Sequence, residues 1–557
     1  MSILNKLLRR VTNSPEYTKK NNKLLKQLID KSLLGFLLTV FFIGSIHAAK
    51  YDIVPKPIYF EERNGFFQLT NDTVIIADKS IQPLSLYLRK LLAAPTGFDL
   101  TEVKSIDAHQ QYIKLSIVEE AQSEQSYYLE VNNNFIEIIG SDQAGLFYGI
   151  QTLFQLMPAE VFSQKLTNAK WKIPKVIVKD APRFEYRGLL VDITRHFFDK
   201  NYLKKIIERM AMHKLNKLHL HLTDDPGWRV EIEQYPKLTS IGGKGDYSTP
   251  NGAAKFLSKA EIKELVAYAA LHHIEIIPEI DMPGHAGAAA KAYPEYFDGN
   301  ITFNMGKKET YHFVADILDE VIGLFPSSYI HFGGDELRNH NLEKLSEVEQ
   351  LMEEKGFTEI AQLEAFFDRY VANYIASKGR TPMGWDEVAT YGVDKSTIIT
   401  WWRGRHPEVL DHAVKQGHKV VMAPANYVYF DYPQTIGEPG APWEGNDNGP
   451  NSLELIYEWE PIPPHFSKQE ASLVIGVQGA IWTEFIRSKS YMEYMTFPRL
   501  SALAETAWSP KEEKDLADFK NRMKMQYMRY DQMEINYRVP GPDGDPMSPN
   551  SKAYITN

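Results

Sequence analysis

The middle of the chain consists of short apolar runs that recur with helix-like segments between several of them. Nearly every run ends in charged, aromatic or histidine residues. Eight strands separated mostly by helices over about 320 residues are typical of a closed (β/α)8 barrel, whose strand ends converge on one catalytic face. An open doubly wound sheet is the alternative, but it would not predict functional residues at all eight ends. The eight runs lie between Tyr186 and about Trp508 and read "GLLVDITR", "KLHLHLTDD", "IEIIPEIDMPGH", "YIHFGGDE", "TPMGWDE", "TIITWWRG", "HKVVMAP" and "VIGVQGAIWTE".

The region before these runs has a different pattern. From Tyr51 to about Lys179, short alternating runs such as "QYIKLSIV" and "FIEIIG" accompany amphipathic stretches such as "LSLYLRKLL". This pattern predicts a small α+β domain, and Pro182 marks its boundary. The predicted layout is therefore an α/β protein with a small α+β domain at 50–180, a catalytic barrel at 181–510 and a C-terminal extension at 511–557. That extension is a charged helix-like stretch followed by a Pro/Gly/Asp-rich end.

The first 49 residues resemble an export segment. The apolar run "LLGFLLTVFFIG", Leu33–Gly44, follows several lysines and precedes small residues near a plausible cleavage point at Ala48 or Ala49. The run is too short for a comfortable membrane span, and the order of features is that of a signal peptide. We expect a periplasmic or secreted bacterial protein; an uncleaved N-terminal membrane anchor or a buried helix are the alternatives.

Composition removes several classes of protein. The formal net charge is −10, which argues against a nucleic-acid partner. The chain has no cysteine, so disulfides, thiolate metal sites, a cysteine nucleophile and a lipoprotein anchor are excluded. Aromatic residues are plentiful, with 9 Trp and 30 Tyr, and they suit flat amphipathic ligands such as sugars.

The clearest chemical signal is "HFGGDE", in which Asp335 and Glu336 follow two glycines at the end of an apolar run. Adjacent carboxylates raise each other's pKa and are costly to hold together. A lone Asp-Glu pair is usually a solvated helix start. After two glycines at the end of a barrel strand, and with companion motifs at the other strand ends, that interpretation loses most of its support.

Six motifs in order resemble glycoside hydrolase family 20, the β-N-acetylhexosaminidases. They are "YRGLLVDITRHF", "NKLHLHLTDDPGWRVEI", "IPEIDMPGHA", "HFGGDE", "WWRG" and "GVQGAIWTE", and the resemblance covers roughly 54–508. It implies a small α+β domain before a (β/α)8 barrel, and exo-acting release of terminal N-acetylglucosamine, or also N-acetylgalactosamine, in chitin-oligosaccharide or glycan breakdown. It also implies a retaining, substrate-assisted mechanism in which the 2-acetamido oxygen of the sugar attacks C1 and forms an oxazolinium ring.

The resemblance also implies roles for individual residues. Asp335 would orient and stabilise the acetamide N–H, and Glu336 would protonate the leaving oxygen; an ionised Asp335 next door favours a protonated Glu336. Arg187 would grip the outer hydroxyls of the sugar, with a structural salt bridge as the alternative. Asp224 and His285 would form a polar relay to the acid, with Asp225 and Asp281 as supporting candidates. The remaining predicted sugar contacts are Trp385, Trp402, Tyr429, Asp431, Trp482 and Glu484, and Trp401 is expected to be the core member of its pair.

Two other functions fit parts of the sequence. The "HLH" of His219 and His221, with acidic residues nearby, resembles the metal-ligand spacing of a zinc-dependent barrel amidohydrolase. That class would place the pair on the first strand and need further histidines at later strand ends, whereas here the pair is on the second. A non-catalytic sugar-binding protein could keep the tryptophans but has no reason to keep Asp335 and Glu336 together. We therefore expect a carbohydrate substrate, and neither a cofactor nor a metal ion.

Overall fold

The computed structural model describes residues 52–105, 110–118, 123–337, 341–390, 392–442 and 449–539. The predicted export segment at 1–49 and the end of the predicted extension beyond 539 lie outside these residues. Among the described residues, no helix combines the length and the apolar character that a membrane crossing requires.

The N-terminal part forms a six-stranded mixed sheet. Its strands are β1 (Tyr59–Gln68), β2 (Val74–Ala77), β3 (Tyr112–Ile117), β4 (Tyr127–Val131), β5 (Phe135–Gly140) and β6 (Lys172–Asp180), in the order β1-β6-β4-β5-β3-β2. Helices α1 (Gln82–Thr96) and α2 (Gln143–Leu156) belong to this domain. Strands β3, β4 and β5 alternate buried and half-buried residues, as a sheet with one covered face requires. The pattern did not predict β1, because its sequence YFEERNGFFQ is mostly exposed, or β6, because Pro174 interrupts its alternation.

A closed parallel barrel follows, and the eight predicted runs are its eight strands. They are β7 (Tyr186–Asp192), β8 (Lys217–His221), β11 (Glu275–Met282), β12 (Tyr329–Gly333), β13 (Thr381–Trp385), β14 (Ile398–Trp401), β15 (Val420–Met422) and β16 (Val474–Ile481). The two-stranded ribbon of β9 (Thr223–Asp224) and β10 (Gly227–Trp228) lies after the second barrel strand. Every residue of β7 and of β16 is buried, as expected for parallel strands covered on both faces. The predicted fold class is confirmed.

Helices connect the barrel strands, and further helices follow the last strand. They are α3 (Lys200–Met212), α4 (Lys237–Ser240), α5 (Lys259–Leu271), α6 (Gly287–Ala292), α7 (Lys308–Leu324), α8 (Ser346–Lys355), α9 (Ile360–Ser377), α10 (Pro407–Gln416), α11 (Ala425–Val428), α12 (Leu453–Glu458), α13 (Lys468–Ala471), α14 (Lys489–Thr496), α15 (Arg499–Trp508) and α16 (Leu516–Gln532). The last helix, α16, is tied to the N-terminal part of the chain by hydrogen bonds. Arg522 of α16 donates to the backbone oxygen of Ile53, and Arg529 to that of Gln155.

A buried ion pair joins the small domain to the barrel. The Oδ2 of Asp180, at the end of β6, accepts from the Tyr127 hydroxyl at 2.7 Å, Lys214 Nζ at 3.0 Å and Trp508 Nε1 at 2.9 Å. The side chains of Asp180 and Lys214 are both fully buried. Since each charge needs the other, the two domains share one polar centre within a common apolar core.

Candidate active site

The turn after β12 separates the two adjacent carboxylates. Gly333 and Gly334 have φ values of +76° and +91°, in the left-handed region. A Cβ on Gly333 would lie 1.8 Å from Oδ1 of Asp281, so only glycine fits there. Beyond the turn, the side chain of Asp335 is 14% exposed and that of Glu336 is 45% exposed. One carboxylate thus lies inside the pocket and the other at its mouth.

His285, which follows β11, lies between three carboxylates. Its Nδ1 is 3.5 Å from Oδ1 of Asp224, and its Nε2 is 3.7 Å from Oδ2 of Asp335 and 3.6 Å from Oε2 of Glu336. Burial alone would lower the pKa of His285, but Asp224, with smaller effects of Glu336 and Asp335, raises it well above the usual value. The ring of His285 therefore lies between Asp224 and the paired carboxylates, and the relay role that the resemblance implies for Asp224 and His285 stays a prediction.

Asp281 and Asp335 form a second pair of carboxyl groups. Burial raises the pKa of Asp335 to about 6, with Glu279 and Glu336 adding to the effect and His285 opposing it. Burial and the nearby Asp335 raise the pKa of Asp281 well above its usual range. Within the described part of the chain, neither oxygen of Asp281 has a hydrogen-bond partner. We assign the proton of this pair to Asp281, which leaves Asp335 ionised at neutral pH.

Arg195, three residues after β7, binds several acidic side chains at the pocket floor. Its guanidinium nitrogens are 3.3 Å from Oδ2 of Asp192, 2.6 Å from Oδ2 of Asp224 and 3.6 Å from Oε1 of Glu484. Its Cζ also lies 5.1 Å from the centroid of the Trp482 ring. The sequence analysis did not select Arg195, although it stands after a strand end, where barrel sites form.

The structure corrects the prediction for Arg187. This residue stands at the beginning of β7, at the opposite end of the barrel, and is fully buried. Its guanidinium donates to the backbone oxygens of Lys214 and Phe184 at 2.8 Å, and to Gln125 Oε1 and the Tyr148 hydroxyl at 2.9 Å. Arg187 is therefore a joint between the domains and does not reach the pocket.

Four aromatic side chains line the pocket. The ring centroids of Trp385 and Trp482 are 5.8 Å apart, those of Trp402 and Tyr429 are 6.3 Å apart and stacked, and those of Tyr429 and Trp482 are 6.1 Å apart. Trp401 packs instead in the main core, and its Nε1 donates to the backbone oxygen of His406. The structure brings the predicted aromatic residues together.

Of two further predicted residues, Asp431 lies near Tyr429, whereas Asp225 lies near Asp224 and His285. Asp431 is 2% exposed and close enough to Tyr429 to raise the pKa of its hydroxyl, an effect that is smaller than that of burial. The Oδ1 of Asp225 accepts from the backbone N–H of Gly287 at 3.0 Å, so this carboxylate anchors the first turn of α6.

Known proteins are similar to this chain in both fold and sequence. The profile described as "Glycosyl hydrolase family 20, catalytic domain" matches residues 184–511, and the profile of domain 2 of the same family matches residues 50–181. The chain belongs to glycosyl hydrolase family 20. This membership confirms the resemblance, and the chain is accordingly a glycoside hydrolase.

Individual members of family 20 align over most of the chain. A "Beta-hexosaminidase" of Porphyromonas gingivalis is 33% identical over an alignment 512 residues long, which covers 88% of this chain and 65% of that protein. The structure of the family 20 β-N-acetylhexosaminidase of Streptomyces coelicolor A3(2) has a TM-score of 0.78 and 30% identity, over 88% of this chain and 98% of that one. The exo-β-N-acetylglucosaminidase of Vibrio harveyi, solved in complex with N-acetylglucosamine, has a TM-score of 0.79 and 31% identity, over 88% and 78% of the two chains.

Beneath the pocket of this family 20 chain lies a buried carboxylate that sequence reasoning missed. Oε1 of Glu279 accepts from Trp385 Nε1 at 2.8 Å and lies 3.1 Å from His331 Nδ1. Its Oε2 lies 2.7 Å from His221 Nδ1 and 3.1 Å from His219 Nε2. The spacing Glu279-x-Asp281 on one strand was the available signal, because alternate residues of a barrel strand point to the same side.

The same group contains the "HLH" pair of the sequence. The ligand atoms of His219, Glu279 and His331 lie within 4.8 Å of one another, a set that could hold a metal ion. Both oxygens of Glu279 already face ring nitrogens. The other nitrogen of His221 lies 2.9 Å from Oδ2 of Asp224. His219 and His221 therefore both contact Glu279, which binds the Trp385 indole, and His221 also contacts Asp224.

Proposed function

We propose that this glycoside hydrolase is an exo-acting β-N-acetylhexosaminidase that releases terminal non-reducing N-acetylglucosamine, and also N-acetylgalactosamine, with retention of configuration. The observation that carries the proposal is the inner Asp335 and outer Glu336 beside His285, in a pocket walled by aromatic rings. The similar proteins, a β-hexosaminidase and an exo-β-N-acetylglucosaminidase bound to N-acetylglucosamine, support the same choice of sugar.

The chemistry is substrate-assisted. The acetamido oxygen attacks C1 while the bond from C1 to the leaving oxygen breaks, and Glu336 gives its proton to that oxygen. Asp335 accepts a hydrogen bond from the acetamide N–H, which becomes cationic as the oxazolinium ring closes. Water then attacks C1 while the bond from C1 to the acetamido oxygen breaks, and the Glu336 carboxylate takes a proton from that water. Asp335 suits its role because it is the ionised member of its pair with Asp281.

The remaining residues bind the sugar. Trp385, Trp402 and Trp482 pack on the acetamido methyl group and the faces of the ring, and the Tyr429 hydroxyl donates to the acetamido oxygen. Arg195, in place of Arg187, acts with Glu484 and Asp431 on the outer hydroxyls. The paired nitrogens of a guanidinium match a diol, and the carboxylates around Arg195 fix its plane.

The alternative functions are less well supported. A sugar-binding protein without activity has no use for an imidazolium placed between a relay carboxylate and a proton donor. A zinc amidohydrolase would need an open metal position facing the substrate, whereas His219, Glu279 and His331 are fully buried beneath Trp385. We therefore propose catalysis without a metal ion or cofactor.

We further propose that the enzyme acts outside the cytoplasm, in the periplasm or as a secreted protein, on chitin oligosaccharides or related glycans. The apolar run Leu33–Gly44 and the small residues after it support this location.

The test compares two aryl sugars that differ only at C2. The purified protein should hydrolyse an aryl N-acetyl-β-glucosaminide. Its kcat/KM on the matching plain β-glucoside should be lower by a factor on the order of 10³ or more, because that sugar lacks the intramolecular nucleophile. Proton NMR of the first-formed sugar should give the β-anomer. Equal rates on the two substrates, or the α-anomer as first product, would refute substrate assistance.

A further inference from the structure

Glu387 lies beside the aromatic wall of the pocket. It belongs to a short 3-10 helix, Asp386–Ala389, directly after β13, and Trp402 directly follows the neighbouring β14. The strands pair with Trp385 opposite Thr400, so positions two residues further along lie side by side at the catalytic end. There, Trp402 Nε1 donates to Oε2 of Glu387 at 3.1 Å.

A chain of side chains fixes Glu387 from behind. Its neighbour Asp386 is fully buried, and the two carboxyl groups lie close enough to influence each other's ionisation. Asp386 in turn accepts from Arg403, at 2.6 Å from Nε to Oδ1 and 3.3 Å from the backbone nitrogen to Oδ2. Two neighbouring buried carboxyl groups readily share one proton. Arg403 Nε is 2.6 Å from Oδ1 of Asp386 but 3.6 Å from Oε1 of Glu387, so the guanidinium favours the anion on Asp386 over one on Glu387. The proton therefore sits on Glu387, which accepts from the indole.

The charged groups around Glu387 favour this neutral form. Burial raises the pKa of Glu387 to about 10, Asp386 and Asp335 add to the effect, and Arg403 opposes it. A second anion here would also face Asp335, which must carry the charge that stabilises the oxazolinium ring. A neutral acid provides an acceptor for the indole without that repulsion.

We propose that Glu387 is a positioning residue that acts as a neutral hydrogen-bonding group and holds the Trp402 indole in place as a wall of the sugar pocket. This inference rests on the proposed function, because Trp402 is there assigned to the sugar. Trp402 is only half-buried, and its stacking on Tyr429 leaves the ring free to slide. The bond to Nε1 fixes the orientation of the ring in its plane.

The test compares variants that keep or remove the acceptor. Glu387→Gln keeps the size, the acceptor for Trp402 and a donor for Asp386, whereas Glu387→Ala removes all three. Trp402→Phe keeps a ring but has no N–H, and it is combined with Glu387→Ala to measure coupling. Glu408→Ala, at an exposed glutamate in the first turn of α10, is the matched control. The assay is hydrolysis of the aryl N-acetyl-β-glucosaminide, with thermal melting of every variant.

We expect Glu387→Ala to raise KM about 10-fold with kcat within about threefold, since a stacked wall binds ground and transition states alike. Glu387→Gln should keep kcat/KM within about threefold of wild type. In the Trp402→Phe background, Glu387→Ala should raise KM further by less than about twofold. If the alanine variant has no cooperative melting transition, Glu387→Leu takes its place, because it fills the volume without an acceptor.

Any of three results would overturn the inference while wild type remains active. The first is an unchanged KM for Glu387→Ala, and the second is a fall in kcat/KM for Glu387→Gln as large as that for Glu387→Ala. The third is a double variant whose KM increase equals the product of the increases in Glu387→Ala and Trp402→Phe. A wild-type enzyme that does not turn over the N-acetylated sugar would instead refute the proposed function. The two failures are therefore distinguishable.

Discussion

Replacing Arg195 with lysine tests whether this arginine binds the sugar. The guanidinium reaches Asp192, Asp224 and Glu484 at 3.3, 2.6 and 3.6 Å with its side chain 9% exposed, so solvent screens these contacts little. Arg195→Lys keeps the charge, but one ammonium group cannot span all three carboxylates and also meet a diol. The loss of one to two charge-assisted hydrogen bonds, each worth roughly 1.5–3 kcal/mol, amounts to about 3 kcal/mol. That loss corresponds to a fall in kcat/KM of about 10²-fold.

The matched control is Arg187→Lys at the other end of the same strand. It breaks bonds to Gln125 and Phe184 at the domain joint, so the free energy of unfolding should fall by about 2 kcal/mol while kcat/KM stays within about threefold. Steady-state kinetics on the aryl N-acetyl-β-glucosaminide and urea denaturation give both quantities for each variant. A 10²-fold loss in a normally stable Arg187→Lys, together with an Arg195→Lys close to wild type, would return the sugar contact to Arg187.

Two further predictions concern the paired carboxylates. Glu336→Gln should lose about 10²–10⁴-fold in kcat/KM on sugars with poor leaving groups, and less on sugars with activated aryl leaving groups. Asp335→Asn should reduce kcat/KM equally on both kinds of substrate. If kcat/KM depends more steeply on the leaving group in Asp335→Asn than in Glu336→Gln, the two roles are reversed. The kcat/KM of wild type should fall as the pH drops below about 6, because burial raises the pKa of Asp335 to about 6 and only its ionised form stabilises the ring. A profile that is flat from pH 7 down to pH 5 would contradict a raised pKa for Asp335 or its need to be ionised, and a rise in kcat/KM that continues above pH 7 would contradict the assignment of the proton to Asp281.

The fold was predictable because each barrel strand has its own apolar run and a polar end. Even β15, only three residues long, was visible in "HKVVMAP". The edge strand β1 was not predictable, since its pairing with β6 depends on backbone bonds and its side chains are largely exposed. An exposed edge strand that is held by backbone hydrogen bonds shows little alternation of hydrophobic and polar residues in its sequence.

The site was predictable where a residue's chemistry and its place at a strand end coincide, as for Asp335, Glu336 and His285. Arg187 was the error, because a single motif contains two arginines and the resemblance alone does not say which end of β7 faces the pocket. Glu279 and Glu387 were missed for another reason. Their roles depend on partners more than 10 residues away, His221 and Trp402 among them, which only the closed barrel brings into contact.

The polar centre at Asp180 has a consequence for how this protein can be divided. The small domain supplies one charge of a fully buried pair and the barrel supplies the other. Cutting the chain near Pro182 and removing the first part would leave the Lys214 ammonium without its acceptors Tyr127 and Asp180, and the Arg187 guanidinium without two of its acceptors. It would also expose to water the apolar surface that the two parts bury together. We therefore expect the barrel without the small domain to be unstable, and the two parts to unfold together in a single cooperative transition.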